Sequence, residues 1–199
     1  MLKRALLSVM AITLLLTPIA STAAAPTDLL SGTIDAVLEV LKDPAYKGEA
    51  HTNKRRTKIK GIIAERFSYV DMAKRSMGKH WKKRSDAEKK EFSVIFGKLI
   101  SLSYITKLEG YTNEKVLYET ETIAKTKAMV KTKIMTKSGT DIPVDYRLLN
   151  KGGGNWMVYD VVIEGISLVR NYRTQFNKSL MQGSYEELLK KLKSKVKNA

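Results

Sequence analysis

IPVDYRLLNKGGGNWMVYDVVIEGISLVRNYRTQFNKSLMQ, residues 142–182, carries the strongest structural pattern of the chain. Apolar and polar residues alternate over 142–148, which is the period of a strand with one buried face. The three glycines at 152–154 can adopt positive φ without steric cost, so they predict a reversal between two strands. The second strand, 156–163, is apolar on both faces except at Asp160, and we expect both of its faces to be covered.

The pattern changes at Gly165 from a period of two to the spacing of an amphipathic helix. Arg170, Arg173 and Lys178 occupy one side of this helix. The apolar positions on its other side are Ile166, Val169, Tyr172, Phe176 and Leu180. We therefore predict a hairpin that leads directly into a packed helix, with Gly165 permitting the corner between them.

Other patterns predict more helices and a second hairpin. Helical spacing of apolar residues occurs in 27–43, 51–67 and 70–77, a capping box at Ser85 and Glu88 opens a helix to about residue 108, and Ser184 precedes a last helix, 185–196. Strand periodicity occurs in 115–122 and 125–137, and the second of these strands carries its lysines on one face. The predicted fold class is α+β. A curved antiparallel sheet of about four strands packs against several helices, and the surplus of apolar side chains predicts an enclosed apolar cavity.

The first 24 residues have the features of a secretory signal peptide. Lys3 and Arg4 begin it, an apolar run follows, and small residues precede the expected cleavage site. Residues 25–199 are then expected to form a single domain, because the chain is long enough for one packed unit and short for two. Export of a chain without cysteine fits the periplasm of a Gram-negative bacterium best.

The mature chain is strongly basic. The full sequence has a formal net charge of +16, and removing Lys3 and Arg4 leaves 16 − 2 = +14. Such a charge favours nucleic acid, anionic lipid headgroups or an acidic protein surface as partners. Cations flank Trp81, on which a base could stack, but a packed Trp81 among solvated cations is the preferred interpretation. Export makes nucleic acid the least favoured of the three partners.

Residues suited to catalysis or metal binding are sparse. His51 and His80 each lack a neighbouring metal-ligand residue, so neither a metal site nor a cofactor is predicted. Ser76 and Lys79 match the serine–lysine spacing of penicillin-recognising enzymes, but the companion motifs of those enzymes are missing. A binding protein is therefore favoured over an enzyme.

The acidic residues of the hairpin could form a carboxylate group. Alternation turns Asp145 outward, however, and Glu164 lies at the corner beside Gly165. Asp160 is expected to satisfy a buried partner or to cap that corner.

Three quoted stretches lead to a family. The first is a C-terminal signature, NWMVYDVVIEGISLVRNYRTQF (155–176). The second is a stretch with aromatic, acidic, glycine and tryptophan residues, RFSYVDMAKRSMGKHWKK (66–83), and the third is a central strand, IPVDYRL (142–148). In these features the chain resembles the toluene-tolerance or MlaC family, the periplasmic phospholipid-binding proteins of the maintenance-of-lipid-asymmetry pathway. The resemblance extends over about residues 27–195, and the signal peptide agrees with it.

The resemblance implies a monomeric carrier that shields the acyl chains of a phospholipid and leaves the headgroup near solvent. The implied partners are an outer-membrane lipoprotein complex and an inner-membrane ABC transporter with a substrate-binding ring subunit. Physical chemistry agrees, because exposing two chains of roughly sixteen carbons costs on the order of 25 kcal/mol at about 0.8 kcal/mol per methylene. The strong positive charge and the lysine-lined strand depart from the family and put the partner surfaces in doubt.

We expect apolar residues of the sheet and of the helices to line the cavity. The predicted lining residues are Val70, Met77, Trp81, Phe96, Leu99, Tyr104, Leu108, Val130, Ile134, Val144, Tyr146, Val158, Val162 and Ile166. Gly165 is expected to place Ile166 at the cavity mouth, and Lys79 or Arg147 to contact the headgroup.

Two alternatives remain open. The first is a cationic module that binds polyanions in the periplasm, which tight oligonucleotide binding by lipid-free protein would support. The second is an enzyme on a cone-shaped α+β scaffold, which loss of turnover on changing Asp160, without loss of the fold, would support.

Overall fold

The computed structural model describes residues 24–110, 114–136 and 139–197. In these ranges the helices are α1 (Pro26–Lys42), α2 (Thr52–Arg66), α3 (Tyr69–Met77), α4 (Asp86–Glu109), α5 (Leu168–Gln182) and α6 (Tyr185–Lys197). The strands between α4 and α5 are β1 (Lys115–Ala124), β2 (Lys127–Met135), β3 (Asp141–Asn150), β4 (Trp156–Ile163) and β5 (Ile166–Ser167). The predicted signal peptide over residues 1–24 falls, except for Ala24, outside the described residues.

The strands form one antiparallel sheet in the order β1-β2-β3-β4-β5. The predicted α+β class and the four predicted strands are confirmed, and β5 is an addition. Glu164 and Gly165 have φ of 49° and 79° and form the two-residue turn that sets Ile166 opposite Ile163. The corner predicted at Gly165 is thus a hairpin turn, and the following helix begins at Leu168 and not at Ile166.

Alternation along β2 gives the sheet two different faces. Ala128, Val130 and Thr132 are buried on one face, which we call the inner face. Lys127 and Lys131 are exposed on the other. The inner face continues on β3 because Val130 pairs with Tyr146 and Ala128 with Leu148. The predicted apolar and cationic faces of β2 are confirmed.

A bulge in β4 changes which of its residues face inward. Leu148 pairs with Val158 but Arg147 pairs with Asp160, so Tyr159 has no opposite residue in β3. The extra residue shifts the alternation by one. Val161 therefore joins the buried residues of the inner face, whereas Val162 lies on the opposite face, across from Asp145.

Among the described residues, buried apolar side chains form three clusters. The helical cluster contains residues of α3, α4, α5 and α6. It includes Phe92, Phe96 and Phe176, whose ring centroids are 5.5 to 5.9 Å apart. The inner-face cluster joins the sheet to Leu30 of α1. The third cluster joins α1, α2 and the end of α4 around Ile105. This division explains why α4 is apolar on several sides, since its two halves pack in different clusters.

The start of α4 is fixed by the predicted capping box. Ser85 N donates to Glu88 Oε2 over 2.7 Å, and Glu88 N donates to Ser85 Oγ over 3.2 Å. Such a cap contributes about 1 kcal/mol. No helix within the described ranges has both the length and the apolar character needed to cross a membrane.

Candidate functional site

The inner face of the sheet is closed at one end and open at the other. Its closed end lies beside the 151–155 turn, and the residues there are at most 5% exposed: Ala128, Leu148, Trp156 and Val158. At the other end three isoleucines face the same side and are only half-buried: Ile134, Ile142 and Ile163. The open end therefore presents apolar surface that the helices do not fully cover.

Ile166 extends this open end to the edge of the sheet. Because directly paired residues of antiparallel strands share a face, Ile166 lies on the inner side beside Ile163. Its side chain is 62% exposed. We call the group formed by Ile134, Ile142, Ile163 and Ile166 the mouth. A group of neighbouring apolar side chains that are exposed or only half-buried marks an interaction or ligand site more often than a single surface residue does.

Helix α1 covers the inner face from above. Leu29, Leu30 and Ile34 of α1 pack against the inner-face cluster. The start of α1 is held to the edge strand β1, because Thr27 N and Thr27 Oγ1 donate to Glu121 Oε2 over 2.7 and 2.6 Å. A carboxylate at a helix N-terminus also interacts favourably with the helix dipole.

An ion-pair group ties α2 to the end of α4. Arg55 Nη2 and Arg56 Nη2 lie 2.8 and 2.9 Å from the two oxygens of Glu109. The hydrogen bond from Arg56, helped by Arg55, outweighs the effect of burial and lowers the pKa of Glu109. These ion pairs thus fix the first turn of α2 to the last turn of α4.

Three tyrosines bring hydroxyl groups to the inner-face cluster. Tyr104, Tyr118 and Tyr146 are all half-buried and pack against it. Burial alone raises the pKa of Tyr146 to about 12, although its side chain keeps accessible surface. The surrounding protein thus disfavours the ionised form of the Tyr146 hydroxyl.

The corner between β4 and α5 is organised by Asp160, which is 2% exposed. Its carboxylate accepts from Ser167 Oγ over 2.7 Å, from Val169 N over 3.0 Å and from Arg147 Nη1 over 3.0 Å. Ser167 Oγ in turn accepts from Arg170 N at the start of α5. The expectation that Asp160 satisfies buried partners at this corner is confirmed.

The structure divides the predicted lining residues among several places. The inner-face cluster contains or contacts Val130, Val144, Val158, Tyr104, Ile134 and Tyr146, and Ile166 lies in the mouth. Met77, Trp81, Phe96 and Leu99 belong to the helical cluster. Leu108 packs against the third cluster, Val162 lies on the opposite face of the sheet, and Val70 is 58% exposed on α3.

Some inner-face residues were missed from the sequence. Ile142 stands in the strand alternation of 142–148 and could have been found there, as could Ile163 once the bulge was known. Tyr118 was hidden because β1 has its own bulge at Glu119, between Tyr118 and Thr120.

The two predicted headgroup residues lie away from the mouth. Lys79 is exposed on the 3-10 turn Gly78–Lys83. Arg147 is paired with Asp160 on the outer side of the sheet, with 43% of its side chain exposed. Trp81 is buried in the helical cluster, which confirms the packed interpretation of this residue.

Two surface hollows lie elsewhere. The larger measures about 400 Å³ and lies where the 3-10 turn with Lys83 meets the end of α5 and the start of α6. The smaller measures about 260 Å³ and lies between α5 and α6, where polar and charged side chains such as Lys191 line it. Met77 contacts the larger hollow. Within the described ranges no three histidine or acidic side chains come together in a way that could hold a metal ion. Neither hollow offers the apolar surroundings that the mouth does.

Known proteins share this fold and sequence pattern. The chain is 22% identical over 151 residues to the intermembrane phospholipid transport system binding protein MlaC of Haemophilus influenzae, a match that covers 73% of this chain and 70% of that protein. The structure of the present chain is similar to that of a phospholipid-binding protein of Ralstonia solanacearum, which was solved in complex with a phospholipid. The TM-score is 0.78 at 22% identity, with 88% of this chain and 98% of that chain covered. At this identity the structural likeness shows the fold.

The family comparison covers most of the sequence. A family model described as MlaC protein matches residues 31–194, which include the inner-face strands, the Asp160 corner and all but the first turns of α1. The chain therefore belongs to the MlaC family.

Proposed function

We propose that the protein is a periplasmic phospholipid carrier. The acyl chains of the bound lipid are proposed to lie between the inner face of the sheet and α1, α2 and α4. The observation that carries the proposal is the mouth, where half-buried isoleucines on the inner face lead to the exposed Ile166. Membership of the MlaC family and the fold shared with a phospholipid complex support it.

The proposed mechanism is exchange of one apolar environment for another. Leaving water is favourable by about 0.8 kcal/mol per methylene, so a site that matches the bilayer makes transfer nearly neutral. The chain contributes aliphatic side chains for this purpose, and no covalent step is required. The carrier is proposed to act as a monomer, without cofactor and without enzymatic turnover.

The proposed lining follows the inner-face cluster. Val130, Val144 and Val158 form its floor, and Tyr104, Ile134 and Tyr146 are the predicted residues that keep accessible surface there. The predicted residues of the helical cluster, and Leu108 of the third, would contact a tail only after α4 moves, because they are packed against other helices. Lys79 and Arg147, the two residues predicted to contact the headgroup, are not part of this proposal, because Lys79 lies on the 3-10 turn Gly78–Lys83 and Arg147 is paired with Asp160 on the outer side of the sheet.

The proposed route runs between an outer-membrane lipoprotein complex and an inner-membrane ABC transporter with its substrate-binding ring. Direction then comes from those partners, because a nearly neutral transfer has no preferred direction of its own. On the outer face of β2, Lys133 lies 2.9 Å from Glu119 and 3.8 Å from Asp141 and is partly neutralised, so that it supports the polyanion alternative less than the exposed Lys127 and Lys131 do.

Native mass spectrometry of the full chain, exported by its host and purified without detergent, tests the proposal. The expected spectrum contains the mature protein with one additional mass of a diacyl phospholipid. If the purified protein instead carries no lipid and binds oligonucleotides tightly, the polyanion alternative is favoured and the proposal is overturned.

A further inference from the structure

One polar atom in the apolar inner region has no partner. The Tyr118 hydroxyl oxygen is buried and makes no hydrogen bond within the described part of the chain. A buried donor without a partner is rare in native proteins, because it loses its hydrogen bonds to water without replacement. An unpaired buried hydroxyl is therefore a candidate contact for a ligand.

The strand register places Tyr118 on the inner face, which is the face of the proposed tail site. Tyr118 pairs with Thr132, which pairs with Val144, and both partners are buried on the inner face. The Thr132 hydroxyl donates to Val144 O over 2.6 Å and makes no hydrogen bond with the Tyr118 hydroxyl. The nearest polar neighbours therefore do not satisfy the tyrosine.

Two neighbours define where the hydroxyl lies. Burial, with smaller contributions from Asp35 of α1 and from Tyr146, raises the pKa of Tyr118 above its ordinary value. No hydrogen bond joins the Tyr118 hydroxyl to either group, and Asp35 is exposed. Tyr118 and Tyr146 thus bring two hydroxyls to one apolar region, beneath α1. Both groups stay protonated and remain donors at neutral pH.

The geometry points to these two hydroxyls as hydrogen-bond donors to the ester carbonyls of a bound glycerolipid, so that the site selects ester-linked lipids over ether-linked ones. An ester carbonyl is the acceptor that a diacyl lipid carries at the junction of its tails and its glycerol, where an apolar site meets its polar rim. This inference rests on the proposed function and deepens it. A site that hydrogen-bonds a ligand discriminates against an analogue that lacks the acceptor, because its own polar group is then left unpaired.

Paired lipids test the inference. Delipidated full-length protein is titrated with dipalmitoyl phosphatidylglycerol and with the dihexadecyl diether of the same headgroup, each in competition with a fluorescent phospholipid. The diester is expected to bind roughly 10- to 100-fold more tightly, which corresponds to two net hydrogen bonds, one from each hydroxyl. Tyr118→Phe should reduce this preference roughly 3- to 10-fold and leave the part that Tyr146 contributes.

The matched control is Tyr159→Phe. Tyr159 lies at the β4 bulge with Arg75 3.9 Å from its ring centroid, so its loss should leave the preference unchanged. Tyr118→Phe should also leave the thermal stability of lipid-free protein unchanged or raised, since it removes an unpaired donor.

Three outcomes overturn the inference. The first is equal binding of diester and diether by the unmodified chain, and the second is an intact preference in Tyr118→Phe. The third is a lower melting temperature of lipid-free Tyr118→Phe, because it would show that the hydroxyl already has a partner. Binding of neither lipid would be a different result, since it would overturn the proposed function itself.

Discussion

Replacing Ile163 with tryptophan should obstruct the proposed tail site from within. Ile163 is half-buried on the inner face, between Val144 and the exposed Ile166. The indole ring would take the room of roughly two to three methylenes of a tail. At about 0.8 kcal/mol each the loss is about 2 kcal/mol, or roughly 30-fold in affinity. The folded state should tolerate the change because the position is not fully packed.

Displacement of a fluorescent phospholipid from delipidated protein measures this loss. Leu149→Trp is the matched control, because Leu149 is also half-buried but alternates with Leu148 and so lies on the outer face. Melting temperatures of both variants establish that they are folded. Unchanged affinity in folded Ile163→Trp, or an equal loss in Leu149→Trp, would refute the reasoning.

Three further changes probe the mouth, the corner and the helix contacts. Ile166→Glu should lower phospholipid affinity at least tenfold, because a lipid that covers this position would desolvate an unpaired charge. Ile166→Ser is the control and should lower the affinity less. Equal retention of lipid by the two variants contradicts this prediction. Asp160→Asn should cost about 3 kcal/mol in urea unfolding, because the carboxylate is 2% exposed and holds three donors; a change below 1 kcal/mol would be inconsistent with its role. Glu109 has a lowered pKa, so its stabilisation is present above the ordinary carboxyl pKa and is lost as the pH falls through the lowered one. Glu109→Gln should therefore destabilise the chain at pH 7 by about 1–2 kcal/mol and much less near pH 3; a gap that does not narrow would contradict the assignment.

The sheet can be predicted from the sequence where the alternation of apolar residues agrees with the observed strand pairing. Alternation in β2 and β3 identified Val130, Ile134, Val144 and Tyr146 as one face, and the register confirms it. Each of these strands keeps a period of two along its whole length, so that the side-chain direction follows from counting.

Counting failed where a bulge changes the period. Val162 was predicted to line the cavity, but the extra residue Tyr159 turns it to the opposite face and brings Val161 inward. The bulge lies beside contacts that leave the strand, since Asp160 accepts from Ser167 Oγ and Val169 N, seven and nine residues further along the chain. No pattern within β4 records those contacts.

The helices posed a different difficulty. Phe96 and Leu99 were predicted to line the cavity, yet they pack in the helical cluster, while Ile105 of the same helix packs in the third. An apolar stripe shows that a helix face is covered but does not show whether a sheet or another helix covers it. The short strand β5 was not predicted for a related reason, because the apolar Ile166 fits the stripe of a helix as well as it fits a strand pair.

The most direct test of the tail site uses two adjacent residues of β2 that face opposite sides. Ile134 is half-buried on the inner face, whereas Met135 is 40% exposed and faces away from it. A photoreactive benzoylphenylalanine is placed at each position in cells, and the irradiated, purified protein is weighed by mass spectrometry. Adducts with the mass of a diacyl phospholipid are expected at Ile134 and not at Met135. Lipid adducts of equal abundance at both positions, or none at Ile134, would contradict the placement of acyl chains between the inner face and the helices.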